Sequence, residues 1–391
     1  MASRTAKKSA PARAPAHKKE ARVEPRDANA EERPSLASLR ERIDEIDHKI
    51  LALVAMRGGI VEQVGQLKHS SGEIVYVPSR ERAIIDRMIA ENPGPLAPEH
   101  IKSIFTEVIS ACRGLEHAAR IAFLGPEHTY SHEAARERFG SSVEFAPLSS
   151  FAAVFQAVES GRADFGVVPV ENSTEGSVGL TLDLLIDTRL KIIGEILLPV
   201  RHALLSLSGD PRAIVKIVSH QQSLGQCRAY LQANFPNCEI EAVASNGFAA
   251  ERAARDPSIA AIASRAAGAA YGLTTIAENI QDLATNTTRF LVMGARPVER
   301  TGADKTTVLF AVADKVGALF KAISLFARNS INISKIESRP LRARPWEYIF
   351  FVDLSGHGED PKLKRALKAL EREALFSKVL GSYPEGRSAA G

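Results

Sequence analysis

From Leu36 the chain carries two apolar rows with a seven-residue repeat. Leu36, Ile43, Ile50, Arg57 and Val64 form one row, and Leu39, Ile46, Leu53, Ile60 and Leu67 form the other. Five unbroken heptads predict a long α-helix buried along one stripe. Arg57 is the one charge in these rows, and Arg40 and Lys68 flank them. A cation in such a seam costs stability unless it is paired. Either it sets the register of a coiled coil, or the cations face an anion held between helices. Arg40 and Arg57 lie seventeen residues apart, about 25 Å along a helix rising 1.5 Å per residue. No small metabolite spans that distance. Antiparallel pairing across a two-fold axis would instead bring Arg40 of one chain to Arg57 and Lys68 of another, so a homodimer or higher homo-oligomer is expected. Gly58 and Gly59 weaken the helix by about 1 kcal/mol each relative to Ala. Two further helices are predicted, from 79 to about 92 and from 98 to about 119, separated by the turn signal Asn92-Pro93-Gly94-Pro95.

Composition excludes several classes. The chain has 391 residues and a net charge of +4. Residues 1–34 hold nine Lys/Arg and five Asp/Glu, which accounts for the whole excess. The remainder is balanced, so the charge does not argue for nucleic-acid binding. The tail has almost no large apolar side chain and is expected to be disordered. Three cysteines without a CxxC pair exclude a disulfide scaffold and fit a reducing compartment. With no apolar h-region and no apolar run near the ~20 residues of a membrane span, a cytoplasmic protein with no membrane partner is expected.

From Arg120 the period changes. IAFLG, VEFAPL, DFGVVPV, IIGEILLPV, IVKIVS, IEAVAS, IAAIAS and RFLVMG read as short buried strands, with helical stretches at 149–159, 222–234 and 247–255. Neither GxGxxG nor GxxxxGK[ST] occurs. Polar clusters follow strands at 125–132, at Glu171-Asn172-Ser173, at Ser219-His220-Gln221-Gln222 and at 286–290, where open α/β sheets bind ligands. Ser131 beside His132 does not make a hydrolase, because adjacent residues lack the required geometry and no GxSxG elbow is present. The last segment reads strand, helix, strand, strand, helix, strand, a ferredoxin-like order.

These features carry resemblances. Residues 35–117, with SLASLRERIDEIDHKILALVAMR, Lys68 and SRER at 79–82, resemble the all-helical chorismate mutases. Residues 120–297, with Thr288-Arg289-Phe290, resemble prephenate dehydratases, in which two α/β subdomains like those of a periplasmic binding protein enclose the site. The C-terminal part resembles ACT regulatory domains through Gly317-Ala318-Leu319 and Glu337-Ser338-Arg339-Pro340. The implied fold is multidomain: a disordered basic tail over 1–34, an all-α mutase domain over 35–118, an α/β dehydratase domain over 119–297 and an α+β ferredoxin-like domain over 304–386.

The resemblance implies roles. Arg40, Arg57, Lys68, Arg80 and Glu116 would bind chorismate, with Lys68 and Glu116 donating to its ether oxygen and Arg57 gripping a carboxylate. Val77, Cys112 and Glu116 depart from some members of that family. Ser131, Asn172, Ser173, Gln222, Thr288 and Arg289 would bind prephenate. Thr288 would donate to the leaving hydroxyl, and Arg289 would anchor the anion. Thr129, Glu171 and His220 could be structural or catalytic. His128 and Gln221 replace a family glycine and proline. The loops at Gly317, Ala318, Leu319, Glu337, Ser338, Arg339 and Pro340 would bind L-phenylalanine between two ACT domains. One reaction is pericyclic and the other is driven by aromatisation, so neither calls for a cofactor or metal. Rival readings are a dehydratase with a degenerate mutase-like dimerisation helix and a non-catalytic amino-acid sensor. The C-terminal domain is expected to be removable after about Val298 with both activities kept.

Overall fold

A computed structural model describes residues 35–71, 78–116, 118–340 and 348–386, with side chains from 35–67 and from 80 onward within those spans. The expected disorder of 1–34 falls outside the described residues.

Helix α1 spans Leu36–Ser71. Ser35 caps it, its hydroxyl accepting from the Ser38 amide at 3.1 Å. Helix α2 spans Pro78–Ala90 and helix α3 Pro98–Glu116, each with proline at its first position, where no amide donor is needed. The expectation of a buried stripe is corrected. Leu36 is 66% exposed, Ile50 53%, Ile60 60% and Leu67 70%. Within one chain the apolar rows lack cover. By length and composition alone α1 would also cross a membrane, which the reading of the apolar runs did not credit. The second half of α1 meets α3 through glycine. A Cβ on Gly65 would lie 2.8 Å from Glu116 Cγ, closer than atoms pack, so only glycine admits α3 there. Arg113, buried on α3, pairs with Glu81 of α2 at 2.6 Å and donates to the Phe139 carbonyl at 2.7 Å, fastening these helices to the next domain.

The central region forms two mixed sheets. In the first, the strands run in the order Glu144–Leu148, Arg120–Leu124, Phe165–Asn172, Thr287–Gly294 and Lys191–Pro199. In the second, the order is Thr274–Glu278, Ala203–Ser206, Ile259–Ala263, Lys216–His220 and Glu239–Val243. Ala203–Ser206 and Thr274–Glu278 lie outside the strands expected from the sequence. The chain leaves the first sheet at 200–202 and returns at 279–286, so two crossings join the lobes. Polar residues collect there.

The C-terminal domain has the expected βαββαβ order, with strands arranged Ile333–Pro340, Tyr348–Ser355, Asp304–Ala311 and Phe376–Pro384, all antiparallel. Alternation along Asp304–Ala311 gives the sheet two buried faces. Val308 and Phe310 pack on Ala322, Phe326, Leu363 and Leu370 of its own two helices. Leu309 and Ala311, with Phe351, Leu380 and Tyr383, share one core with Val168, Leu182, Leu185 and Ile192 of the central region. The domain is therefore not a separable appendage. Lys378 adds polar fastening, donating to the Ile186 and Thr188 carbonyls at 2.8 and 2.5 Å.

Candidate functional site

The strand Thr287–Gly294 organises the central site. Side chains alternate across it, so Thr288 and Arg289 face opposite ways. Its neighbour Phe165–Asn172 is in register, with Thr288 opposite Asn172 and Arg289 opposite Glu171. Each face then gathers its own polar group.

On the Thr288 face the side chains form a continuous hydrogen-bond chain. Asn172 accepts through Oδ1 from the amides of Thr174 and Glu175 at 3.0 and 3.2 Å. Its Nδ2 donates to Thr288 Oγ1 and to Asn286 Oδ1, both at 2.8 Å. Asn286 Nδ2 donates to Gln226 Oε1 at 3.0 Å, and His202 Nε2 reaches the same oxygen at 2.9 Å. His202 Nδ1 lies 2.8 Å from the Tyr130 hydroxyl. Asn172, Asn286 and His202 are buried. The chain draws from both lobes and both crossings. Burial holds the His202 imidazole below its ordinary pKa, against a smaller opposing effect of Gln226.

The Arg289 face differs from the expectation. Arg289 does not join Thr288; strand alternation turns it towards the C-terminal domain. Its Nε donates to Glu195 and its Nη1 to Asp353, both at 2.6 Å, and its Nη2 donates to the Tyr383 hydroxyl at 3.0 Å. Lys305 pairs with the other Glu195 oxygen at 2.8 Å, and Lys335 with Glu171 at 2.7 Å. Burial works to raise the Glu195 pKa, but Arg289 and Lys305 outweigh it and hold the carboxyl below its usual range. Arg289 keeps its charge although burial opposes it, because Tyr383, Asp353 and Glu195 favour the cation. Three carboxylates of this chain surround the guanidinium, Glu195 and Asp353 at 2.6 Å and Glu171 at 3.9 Å.

Other predicted residues resolve into roles. Ser131 is buried in the first turn of the helix Tyr130–Phe139, following Tyr130 in the sequence. Ser173 joins strand ends: its hydroxyl accepts from the Thr287 amide at 3.0 Å and donates to the Thr285 carbonyl at 3.3 Å. Thr129 caps a helix and His220 caps Gln221–Gln226. Gln226, one turn beyond Gln222, makes the contact with Asn286, while Gln222 is half-buried. His132 stacks on Phe123 at 4.8 Å, and burial with nearby His128 lowers its pKa to about 4. It is a core histidine. Gln226 and His202 escaped the sequence reading. The available signal was a glutamine in register with Gln222 and a histidine at a strand boundary.

Among the mutase residues, Arg40 and Arg80 are exposed. Arg57 is half-buried and donates to the Val108 carbonyl at 3.5 Å. Glu116 packs against Gly65 of α1. The Lys68 side chain lies outside the described residues.

In the C-terminal domain Gly317 precedes the helix Ala318–Arg328 with φ of 78°, a left-handed conformation that suits glycine. Ala318 and Leu319 open that helix, where Val316 and Phe320 are strongly exposed. Glu337, Ser338 and Pro340 lie on Ile333–Pro340. Arg339 is engaged elsewhere, donating to Asp183 at 2.9 Å in the central region.

Comparison with known proteins follows this division. A chorismate mutase type II family model matches residues 39–117, a prephenate dehydratase model 121–298 and an ACT domain model 306–372. The bifunctional chorismate mutase/prephenate dehydratase of Aquifex aeolicus is 43% identical over 354 residues, covering 90% of this chain and 98% of the relative. Its Escherichia coli K12 counterpart is 35% identical over 376 residues, covering 90% and 97%. The structure of prephenate dehydratase from Arthrobacter aurescens in complex with L-Phe aligns at 34% identity with a TM-score of 0.63, over 68% of this chain and 90% of that one.

Proposed function

The chain belongs to the bifunctional chorismate mutase/prephenate dehydratases, and we propose how its residues divide the two reactions of L-phenylalanine biosynthesis. It converts chorismate to prephenate and prephenate to phenylpyruvate. The dehydratase site centres on Thr288. Loss of carbon dioxide breaks one C–C bond of prephenate and sends its electron pair into the ring. The ring becomes aromatic as the C–O bond breaks, and the departing hydroxide needs a proton to leave as water. Thr288 is placed to help. Its oxygen accepts a hydrogen bond from Asn172, which leaves its own proton free to donate outward. That bond carries the assignment, and the fixed donor stabilises charge as it forms. Ser131 and Gln226 serve as binding groups beside it. Steady-state kinetics of Thr288→Ala on prephenate test the assignment.

The mutase reaction needs only a site that holds the reactive chair. Arg40, Arg57, Lys68, Arg80 and Glu116 supply it, completed between two chains. The exposed rows of α1 support this, because a second copy would cover them. L-Phenylalanine acts as feedback effector at the ACT domain, where Val316 and Phe320 are exposed beside Gly317 in the sequence. Free Cys112, Cys227 and Cys238 suit a cytoplasmic enzyme.

A further inference from the structure

The hydrogen-bond chain on the Thr288 face has a sense that can be worked out atom by atom. Backbone amides donate only, so those of Thr174 and Glu175 fix which end of Asn172 is oxygen. Its Nδ2 must then donate to Asn286 Oδ1, which fixes Asn286 and makes its Nδ2 the donor to Gln226 Oε1. A carbonyl oxygen cannot donate. His202 Nε2, 2.9 Å from that oxygen, must therefore carry a proton. Burial disfavours the imidazolium, so His202 Nδ1 is bare and accepts from the Tyr130 hydroxyl. That hydroxyl proton has a second acceptor in the Arg201 carbonyl at 2.9 Å.

We propose that His202 is a positioning residue of the dehydratase. As the Nε2–H tautomer it holds Gln226 Oε1 towards Asn286, which keeps Asn286 Oδ1 on Asn172 and the Asn172 donor firmly placed at Thr288. The Gln226 amide nitrogen has only long contacts, to Thr174 at 3.5 Å and Glu175 at 3.4 Å. Without His202 the amide is held in this sense by Asn286 alone. Rotation of Gln226 would put two donors face to face at Asn286 and push Asn286 off Asn172, whose own sense the backbone amides keep. Asn172 would then lose the Asn286 acceptor that steadies its Nδ2, and the donor to Thr288 would be less firmly placed. Nothing in this role requires His202 to touch prephenate. The inference rests on Thr288 as the donor to the leaving hydroxyl.

The test uses the full chain. In ¹⁵N-histidine spectra, the His202 signal among the ten histidines is identified by its disappearance in His202→Phe. It should show Nε2 protonated and Nδ1 bare at neutral pH. An Nδ1–H tautomer or an imidazolium would overturn the proposal. His202→Phe removes the donor and keeps the bulk. Its kcat on prephenate should fall about ten- to hundredfold, the scale of one buried bond lost, with a smaller change in KM. His202→Gln presents an amide donor at similar reach and should restore kcat to within about threefold of wild type. Chorismate consumption by the same chains reports that they are folded. Unimpaired kcat in His202→Phe, or equal loss in both variants, defeats the positioning role. Thr288→Ala separates the two claims: normal turnover there removes the underlying reading and this inference together, whereas an inactive Thr288→Ala beside a fully active His202→Phe removes the inference alone.

Discussion

In the proposed dehydratase site, Thr288 is a weak acid asked to help hydroxide depart. Its hydroxyl succeeds only if its proton is free and its place is fixed, and Asn172 meets both conditions. Thr288→Ala should lower kcat on prephenate by roughly a hundredfold or more, the range for a lost acid or oxyanion donor. Chorismate should still be consumed, with prephenate accumulating. A turnover number near wild type would remove Thr288 from the chemistry. His132, beside Ser131 in the first polar cluster, is a core group at this scale. Buried against Phe123, it titrates near pH 4 in the folded chain, against about 6.5 when unfolded. Its folded pKa is depressed, so its contribution to stability is whole above pH ~6.5 and is lost as pH falls towards 4. Melting temperature should drop across that window in wild type and less steeply in His132→Phe. Parallel curves would show that the ring does not titrate there.

Elements decide which face a predicted residue serves. Thr288 and Arg289 are adjacent in sequence, and a strand sends them to opposite sides. A reading by neighbourhood could find the signature but not that separation. The partners of Arg289 come from Glu195 and from Asp353, which is 64 residues away in sequence, and no local pattern marks such a pairing. Asp353→Ala removes one carboxylate from a buried cluster. It should cost on the order of 3 kcal/mol or more, since an uncompensated buried cation is expensive. Denaturant titration measures this, and a loss below about 1 kcal/mol would class the pair as a surface bridge. The helices were more legible. Heptads, prolines at helix starts and the turn at 92–95 gave α1 to α3, because these signals are local. Gly65 was not, since its reason is the neighbouring Glu116. Gly65→Ala should push Glu116 aside and cut mutase kcat/KM by up to about a hundredfold, the penalty for misplacing a site group by about 1 Å. Its dehydratase kinetics should match wild type, and unchanged mutase kinetics would place Glu116 outside the mutase site.

At the scale of the molecule, order along the chain was readable and coupling between domains was not. Period changes at Arg120 and beyond Val298 marked the segments. Both faces of the C-terminal sheet look alike in sequence, since alternating apolar residues do not say whether a helix or another domain covers each face. Leu309, Phe351 and Tyr383 pack on the dehydratase region, so a chain ended at Val298 would expose that core and leave Arg289 without Asp353. It should be insoluble or unfolded by circular dichroism. A soluble, active and merely deregulated truncation would contradict the shared core. The exposed rows of α1 are, in the reading proposed above, a surface completed by another copy. Arg40→Ala and Arg57→Ala should each abolish mutase activity, and a mixed dimer of the two should regain one intact site of two. Verified mixed dimers without activity would end the shared-site model.

The central claim is that one chain carries both reactions, at separate sites, under control of their eventual product. Supplying chorismate alone and following chorismate, prephenate and phenylpyruvate together, with and without L-phenylalanine, tests it most directly. Wild type should turn chorismate into phenylpyruvate, Thr288→Ala should stop at prephenate, and L-phenylalanine should slow phenylpyruvate formation. Chorismate left unconsumed by a chain that still dehydrates added prephenate would contradict the account.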